Sequence, residues 1–303
     1  IYLNTVDKAI KVYKEVKDLV LKSGKNIPVI LYHSRFTEKY KQRKENMLLD
    51  NLGRKAWNNG IAKGIAILTQ IGEISINISS ELMISEVCPI DRLMQRAGRL
   101  CRFDNSVGEM YILIPYKDNT LYPAPYGSYS QSDKSWIPCK ALLATMDILK
   151  RGIYSAQDLV NILNKVYAEE TNFSIKAQTN VKALEQMFIN NWLINPVEKW
   201  NDDDTHSNTW KSRDIGPQGT AFVIKPKCMH FYNYSEYAEF VLSYSISLPV
   251  YLLDKGRKEH RIDSNCKITI GSNEPIFINV IREGFYTFDV GIDLTNNEED
   301  NFL

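Results

Sequence analysis

The chain has 303 residues, 37 basic and 36 acidic, with a formal net charge of +1. That length allows about two domains, and 44% hydrophobic with 24% charged residues is a globular composition, not a disordered or fibrous one. With no overall basic excess, any nucleic-acid site must be a local patch or groove. The five cysteines (Cys88, Cys101, Cys139, Cys228, Cys266) form no C-x-x-C pair. They read as reduced thiols in a cytoplasmic setting, not as a zinc or redox site. No signal-peptide pattern is present. The longest apolar stretch, near residues 240–253, is broken by Ser, Tyr and Pro and is too polar to span a bilayer. The first residues, "IYLN", read as a strand in progress, so a fragment of a longer polypeptide is expected.

After "IYLN", Val6, Ala9, Ile10, Tyr13, Val16 and Val20 repeat at helical spacing. "IPVILYH" predicts a second strand and "TEKYKQRKENMLLDNL" a polar helix, on which Lys39, Lys41, Arg43 and Lys44 read as a solvated basic face. "GIAILT", "LMISEV" and "MYILI" predict three more buried strands, the last preceded by an Arg-rich helix. Short apolar runs alternating with helices indicate a parallel sheet covered on both faces, with functional residues on loops at the carboxyl ends of its strands. This first domain is expected over residues 1–117.

Residues 118–195 are expected to be a loop and helical linker. "KDNTLYPAPYGSYSQSDKS" predicts irregular structure. Pro138 is expected to open a helix ending near Gly152. Ser155 with Asp158 resembles a capping box for the next helix, and residues 174–192 look like a third. "NDDDTHSNT" reads as an acidic boundary loop. Residues 196–303 are expected to form a smaller α+β, mostly β, accessory domain built on "TAFVIK", "SLPVYLL", "CKITIG", "IFINVI" and "FYTFDVGIDL". Trp136, Trp192, Trp200 and Trp210 read as core or interface residues rather than as base-stacking platforms.

The chemistry concentrates in residues 95–102, "QRAGRLCR". A solvated helix would mix in acids, and a core helix would not carry these guanidiniums. Gln95, Arg99 and Arg102 at i, i+4 and i+7 would share one helical face. Gly98 permits close approach to the backbone. An amide beside two guanidiniums suits a multi-oxygen anion, because the arginine fork matches phosphate. Such arginines stabilise charge developing on a transferred phosphoryl group. Thr69 and Gln70 fall at the end of one predicted strand, and His33, Ser34 and Arg35 at the end of another. Glu73 either orients the neighbouring loop or lies on the surface.

These segments resemble one branch of the superfamily 2 helicases. Q-R-A-G-R-L-C-R resembles motif VI (Q-R-x-G-R-x-x-R). "ILTQIGEISINIS" followed by "LMISEVCPIDRLMQRAGRLCR" looks like motifs V and VI of the CRISPR-associated helicase–nuclease of type I systems. "LYHSRF" resembles its motif IV and "LNTVDKAIKVY" its N-T-V opening of the second RecA-like domain. Four segments in order cover about 115 residues. Beyond them, residues 213–215 and "YTFDVGI" faintly resemble the family's C-terminal region. Three departures stand out. Asn77 replaces the motif V Asp, Ile74-Ser75 replaces an Ala-Gly pair, and Tyr40-Lys41 replaces the Asp-Arg after motif IV.

The resemblance implies ATP-driven 3′ to 5′ translocation on single-stranded DNA, recruited by an RNA-guided CRISPR surveillance complex in a prokaryotic cytoplasm. It implies that Arg99 and Arg102 contact the γ-phosphate of ATP and that Gln95 contacts phosphate or attacking water. Gly98 and Asn77 would flank the nucleotide. His33, Ser34, Arg35, Thr69 and Gln70 would line the DNA path, holding backbone phosphate without reading bases. The chain has no G-x-x-x-x-G-K-[ST] and no acidic D-E-x-H box; its one Gly-Lys, Gly24-Lys25, precedes Asn26. No His-Asp dipeptide marks a metal nuclease. ATP and Mg2+ are therefore expected to be held mainly by a first RecA-like domain on another segment or subunit, with a metal nuclease fused or separate. This segment alone is expected to be inactive. The rival expectations are another superfamily 2 motor, for repair or RNA, and a non-catalytic RecA-like docking module.

Overall fold

The structure, a computed structural model, describes residues 1–74, 76–117, 119–130, 132–173, 178–179, 181–182, 185 and 217–294. Packing divides the chain into two compact units. The first comprises Ile1–Glu86, Gln95–Ile114 and Pro217–Leu303, and the second Val87–Met94 and Pro115–Gly216.

The first unit is built on a parallel sheet. β1 (Val29–Tyr32) pairs in parallel with β2 (Ile65–Leu68), and β3 (Leu82–Glu86) with β4 (Glu109–Leu113). Residues 1–3 fill the middle: Tyr2 bridges Leu68 on one side and Ser85 on the other, both in parallel. The Tyr2 N–H donates to the Ile84 carbonyl at 2.8 Å and the Leu3 N–H to the Leu68 carbonyl at 2.9 Å. The spatial order is β1, β2, residues 1–3, β3, β4, and the five apolar runs of the sequence supply all five positions.

Side chains alternate across a strand, and here the alternation builds two cores. Tyr2, Ile30, Tyr32 and Leu68 face α2 (Glu38–Leu52) through Leu48 and Leu52. Leu3, Leu31 and Ile67 face α1 (Val6–Lys22) through Ala9, Ile10 and Tyr13. Helices thus cover both faces at β1, β2 and residues 1–3, whereas β4 departs from the buried expectation, with Tyr111 and Leu113 about half exposed; the loops after residues 1–3, β1, β2 and β3 emerge at one edge. Lys44 departs from the solvated reading of its helix: it is buried, at 2% exposure.

The same unit contains a five-stranded mixed sheet in the order β10-β12-β13-β9-β11, formed by β9 (Gln218–Phe222), β10 (His230–Phe231), β11 (Ser245–Pro249), β12 (Ile262–Ile270) and β13 (Ile276–Ile281). A small pair, β14 (Tyr286–Thr287) and β15 (Gly291–Ile292), follows. Two helices here escape the strand reading. Tyr234–Tyr244 is aromatic-rich and has no fully buried residue, so no sharp helical stripe announces it. Its start is fixed instead by Asn233, whose side chain accepts from the Glu236 N–H. "SLPVYLL" is half strand and half helix: Pro249 ends β11, and the helix Val250–Lys258 begins at the next residue. Proline's missing N–H and fixed φ end the ladder and open the helix.

The second unit contains α6 (Lys140–Ile148) and α7 (Ala156–Val166). The Ser155–Asp158 capping box is present on α7. The stretch expected to be irregular forms two short hairpins, β5 (Tyr116–Lys117) with β6 (Thr120–Leu121) and β7 (Gly127–Ser130) with β8 (Ser135–Pro138). Asn119 and Lys134 take left-handed turn conformations, with φ of 59° and 48°. Pro138 sits in β8, and α6 starts only after Cys139. The expected third helix falls almost wholly outside the described residues. So do Ser75, Trp192, Trp200, Trp210, the acidic boundary loop and residues 213–215.

Candidate nucleotide and nucleic-acid site

α5 (Ile90–Ala97) carries the first part of the Arg-rich segment and stops at Ala97. The Arg99 N–H donates to the Arg96 carbonyl and the Leu100 N–H to Ala97, so the last turn tightens to i→i−3 bonding. Leu100 then bridges Ser80, and Cys101 adopts a φ of 41°. Gln95, Arg99 and Arg102 therefore do not share a helical face. Gln95 is exposed on α5, Arg99 lies buried in the turn at 6% exposure, and Arg102 is exposed beyond it.

Arg102 is placed by neutral groups. Its Nε donates to Asn77 Oδ1 at 2.8 Å and its Nη1 to the Gly98 carbonyl at 2.8 Å. Its backbone N–H donates to Ser79 Oγ at 2.9 Å. Partial burial, then the neighbouring Arg99 and Arg54 guanidiniums, push its pKa below the usual arginine range. That clustering of positive charge is the electrostatic condition for binding a multivalent anion. Arg99 donates through Nη2 to the Glu73 carbonyl at 2.8 Å, while its buried Nε has no hydrogen-bond partner among the described residues.

The sequence reading overlooked Arg96, which is 0% exposed. It meets Glu73 Oε1 at 2.8 Å, Ser85 Oγ at 2.9 Å, the Glu86 carbonyl at 3.0 Å and Asn4 Oδ1 at 3.0 Å. The premise that a core helix would not carry guanidiniums fails here because each fork of Arg96 is matched by an acceptor. Ile90, Leu93 and Arg96 recur at spacing three along the buried stripe of α5, the one sequence signal that could have found it. Glu73 is fully buried against Arg96, so it does not lie on the surface. Burial pushes the Tyr2 phenol up to about 12, so it remains a donor, to the Gly72 carbonyl at 3.1 Å.

Asn4 joins this network to the sheet edge. Its N–H donates to Glu86 Oε2 at 2.7 Å, and its carbonyl accepts from Gln70 Nε2 at 2.6 Å. Lys8 pairs with the other Glu86 oxygen at 2.6 Å. Gln70 is half-buried, and Thr69 is buried beside it. In the loop after β1, His33 is 0% exposed and Ser34 is exposed. Arg35 is buried and paired with Asp7. His33 Nδ1 accepts from the Arg35 N–H at 3.1 Å, so Nε2 carries the proton and donates to the Val290 carbonyl at 3.0 Å. Burial, then the Arg35 charge, lowers the His33 pKa to about 3. Hydrogen bonds thus bring Arg102, Asn77 and Gly98 together and tie Arg99 to Glu73. They tie Gln70 to Asn4 and Arg35 to Asp7, with His33 in the interior.

Comparison with known proteins agrees with this architecture. Residues 1–105 match the family described as CRISPR-associated nuclease/helicase Cas3, C-terminal. A putative CRISPR-associated nuclease/helicase Cas3 of Methanocaldococcus jannaschii is 38% identical over 125 residues, 39% of this chain and 16% of that protein. The CRISPR-associated nuclease/helicase Cas3 of Streptococcus thermophilus is 34% identical over 195 residues, 61% of this chain and 19% of that protein. The chain thus spans less than a fifth of the length of these relatives. Among solved structures, T. fusca Cas3-ADP superposes with a TM-score of 0.56 at 16% identity, covering 82% of this chain and 32% of that one. The family match is thus carried by residues 1–105, and the likeness to the solved structures, at 16% identity, is one of fold.

Proposed function

We propose that this chain supplies the arginine side of the ATP site and part of the DNA path of a 3′ to 5′ single-stranded DNA translocase of type I CRISPR interference. The observation that carries the reading is Arg102. It is an exposed guanidinium seated by Asn77 and Gly98 and near the Arg99 and Arg54 charges. The solved structures of T. fusca Cas3-ATP, Cas3-AMPPNP and Cas3-ADP support nucleotide binding in the family. Arg102 and Gln95 would contact the γ-phosphate or attacking water. Arg99 would reach it by leaving the Glu73 carbonyl.

Among the described residues no three His, Cys, Asp or Glu side chains converge as a metal cluster. Glu73 and Glu86 are committed to Arg96, Asn4 and Lys8. We place the Mg2+ with the first RecA-like domain. Exposed Ser34 would meet a DNA backbone directly, and Gln70 would do so by leaving the Asn4 carbonyl, while buried His33, Arg35 and Thr69 would shape their loops from beneath. The division at about residues 117 and 195 is kept as the functional partition.

The test is ATP hydrolysis by the full native polypeptide, with and without single-stranded DNA, beside Arg102→Ala. Loss of an arginine finger costs about 10³-fold or more in turnover. Hydrolysis that ignores both DNA and Arg102 would overturn the reading.

A further inference from the structure

The loop after β1 rests on a segment more than 240 residues away in sequence. Residues 285–294, here the strap, return to the parallel sheet through β14 and β15. The Tyr286 hydroxyl accepts from the Thr37 N–H and donates to Thr37 Oγ1, both at 3.1 Å. The Val290 carbonyl takes the His33 proton, and the Ile292 N–H donates to the Arg35 carbonyl at 3.0 Å. Three supports of the loop, at His33, Arg35 and Thr37, therefore come from the strap.

Gly291 shows how close the fit is. Its φ is +69°, and an added Cβ would stand 2.5 Å from the Arg35 carbonyl oxygen and 2.9 Å from the His33 ring. Only glycine both adopts this conformation cheaply and leaves the space. The flanks are anchored by charge. Asp289 pairs with Lys17 at 2.6 Å and Asp293 with Lys14 at 2.9 Å. The Asp289 carbonyl accepts from Lys44 Nζ at 3.2 Å, and the Phe288 ring lies 4.5 Å from the same ammonium.

We propose that residues 286, 290, 291 and 292 are positioning residues for the H-S-R-F loop, fixing the arrangement in which Ser34 faces outward, so that the C-terminal strap sets how tightly the loop engages a DNA backbone. The DNA part rests on the function proposed above. The strap's hydrogen bonds to the loop fall on His33, Arg35 and Thr37, so its effect is expected on DNA engagement and not on basal turnover.

The experiment uses the full native polypeptide with Tyr286→Phe and Gly291→Ala. Two readouts are taken: backbone hydrogen exchange of residues 33–37, and the single-stranded DNA concentration that half-stimulates ATP hydrolysis. Tyr286→Phe strips the Thr37 N–H of its acceptor while keeping the ring. Exchange in the loop is expected to rise about tenfold, and half-stimulation to shift to several-fold higher DNA with basal hydrolysis unchanged. Should Gly291→Ala fail to fold, Tyr286→Phe still decides. An unaltered loop overturns the proposal, as does a loosened loop with unaltered DNA dependence. If the unsubstituted protein ignores DNA altogether, the DNA-path reading has failed, and hydrogen exchange alone decides whether the strap positions the loop.

Discussion

Arg96 and Arg102 lie six residues apart and obey opposite rules. Arg96 is enclosed with Glu73, both at 0% side-chain exposure, and satisfies its fork on four acceptors. Replacing one member of a buried pair leaves an uncompensated charge, typically costing about 3–5 kcal/mol. Arg96→Met is expected to lose stability of that order in urea unfolding, whereas Arg102→Ala should unfold close to the unsubstituted midpoint. That contrast separates a loss of turnover from a loss of fold. Asn77 invites the reverse substitution. Asn77→Asp places a carboxylate where Arg102 Nε now meets a neutral amide. On an exposed pair the gain is expected to stay below about 1 kcal/mol, again read from the urea midpoint. A larger gain would mean that the pair is far less solvated than its exposure indicates.

The loop after β1 carries a pH dependence of its own. Its histidine is held neutral in the interior, with a pKa lowered to about 3 from the ordinary 6.5. Between those values the unfolded chain binds a proton that the native chain refuses. Stability contributed by His33 is therefore complete above pH 6.5 and declines as pH falls toward 3, by at most about 1.4 kcal/mol per pH unit. His33→Asn should flatten that slope in thermal or urea unfolding measured from pH 7 to 4. An unchanged slope would assign acid sensitivity to other groups. What could be read from sequence at this scale followed the strength of the local signal. The apolar runs at β1 to β4 were legible as strands because each is short and bounded by turn signals, but the run at β4 was not legible as an exposed one, with Tyr111 and Leu113 about half exposed. Tyr234–Tyr244 was not, because its aromatics favour strands and its fixing signal is one Asn cap. The site divided in the same way. Arg102 and Gln95 were legible as exposed donors. The burial of Arg99 and His33 depends on a shortened helix and a remote strap, neither of which has a local signature.

At the scale of the whole molecule, the first compact unit is discontinuous, joining the parallel sheet to residues some 200 positions later. Among the described residues no helix is long and apolar enough to cross a membrane. The mixed sheet has its own core, in which Ala221, Leu248, Leu252 and Ile262 pack with Ile292 and Leu294 of the strap. The strap thus belongs to the mixed-sheet core by its aliphatic side chains and to the H-S-R-F loop by the Val290 and Ile292 backbone and the Tyr286 hydroxyl. A change in one is transmitted to the other without passing through the arginine network.

During synthesis this arrangement imposes an order of events. Thr37 leaves the ribosome 249 residues ahead of Tyr286, its hydrogen-bond partner. At about 5–20 residues per second, the loop waits roughly 12–50 s for its supports. Throughout that interval the nascent parallel sheet carries His33 without the Val290 carbonyl and Lys44 without Phe288. The aromatic and aliphatic surface that the strap later covers is then open to chaperones or to premature association.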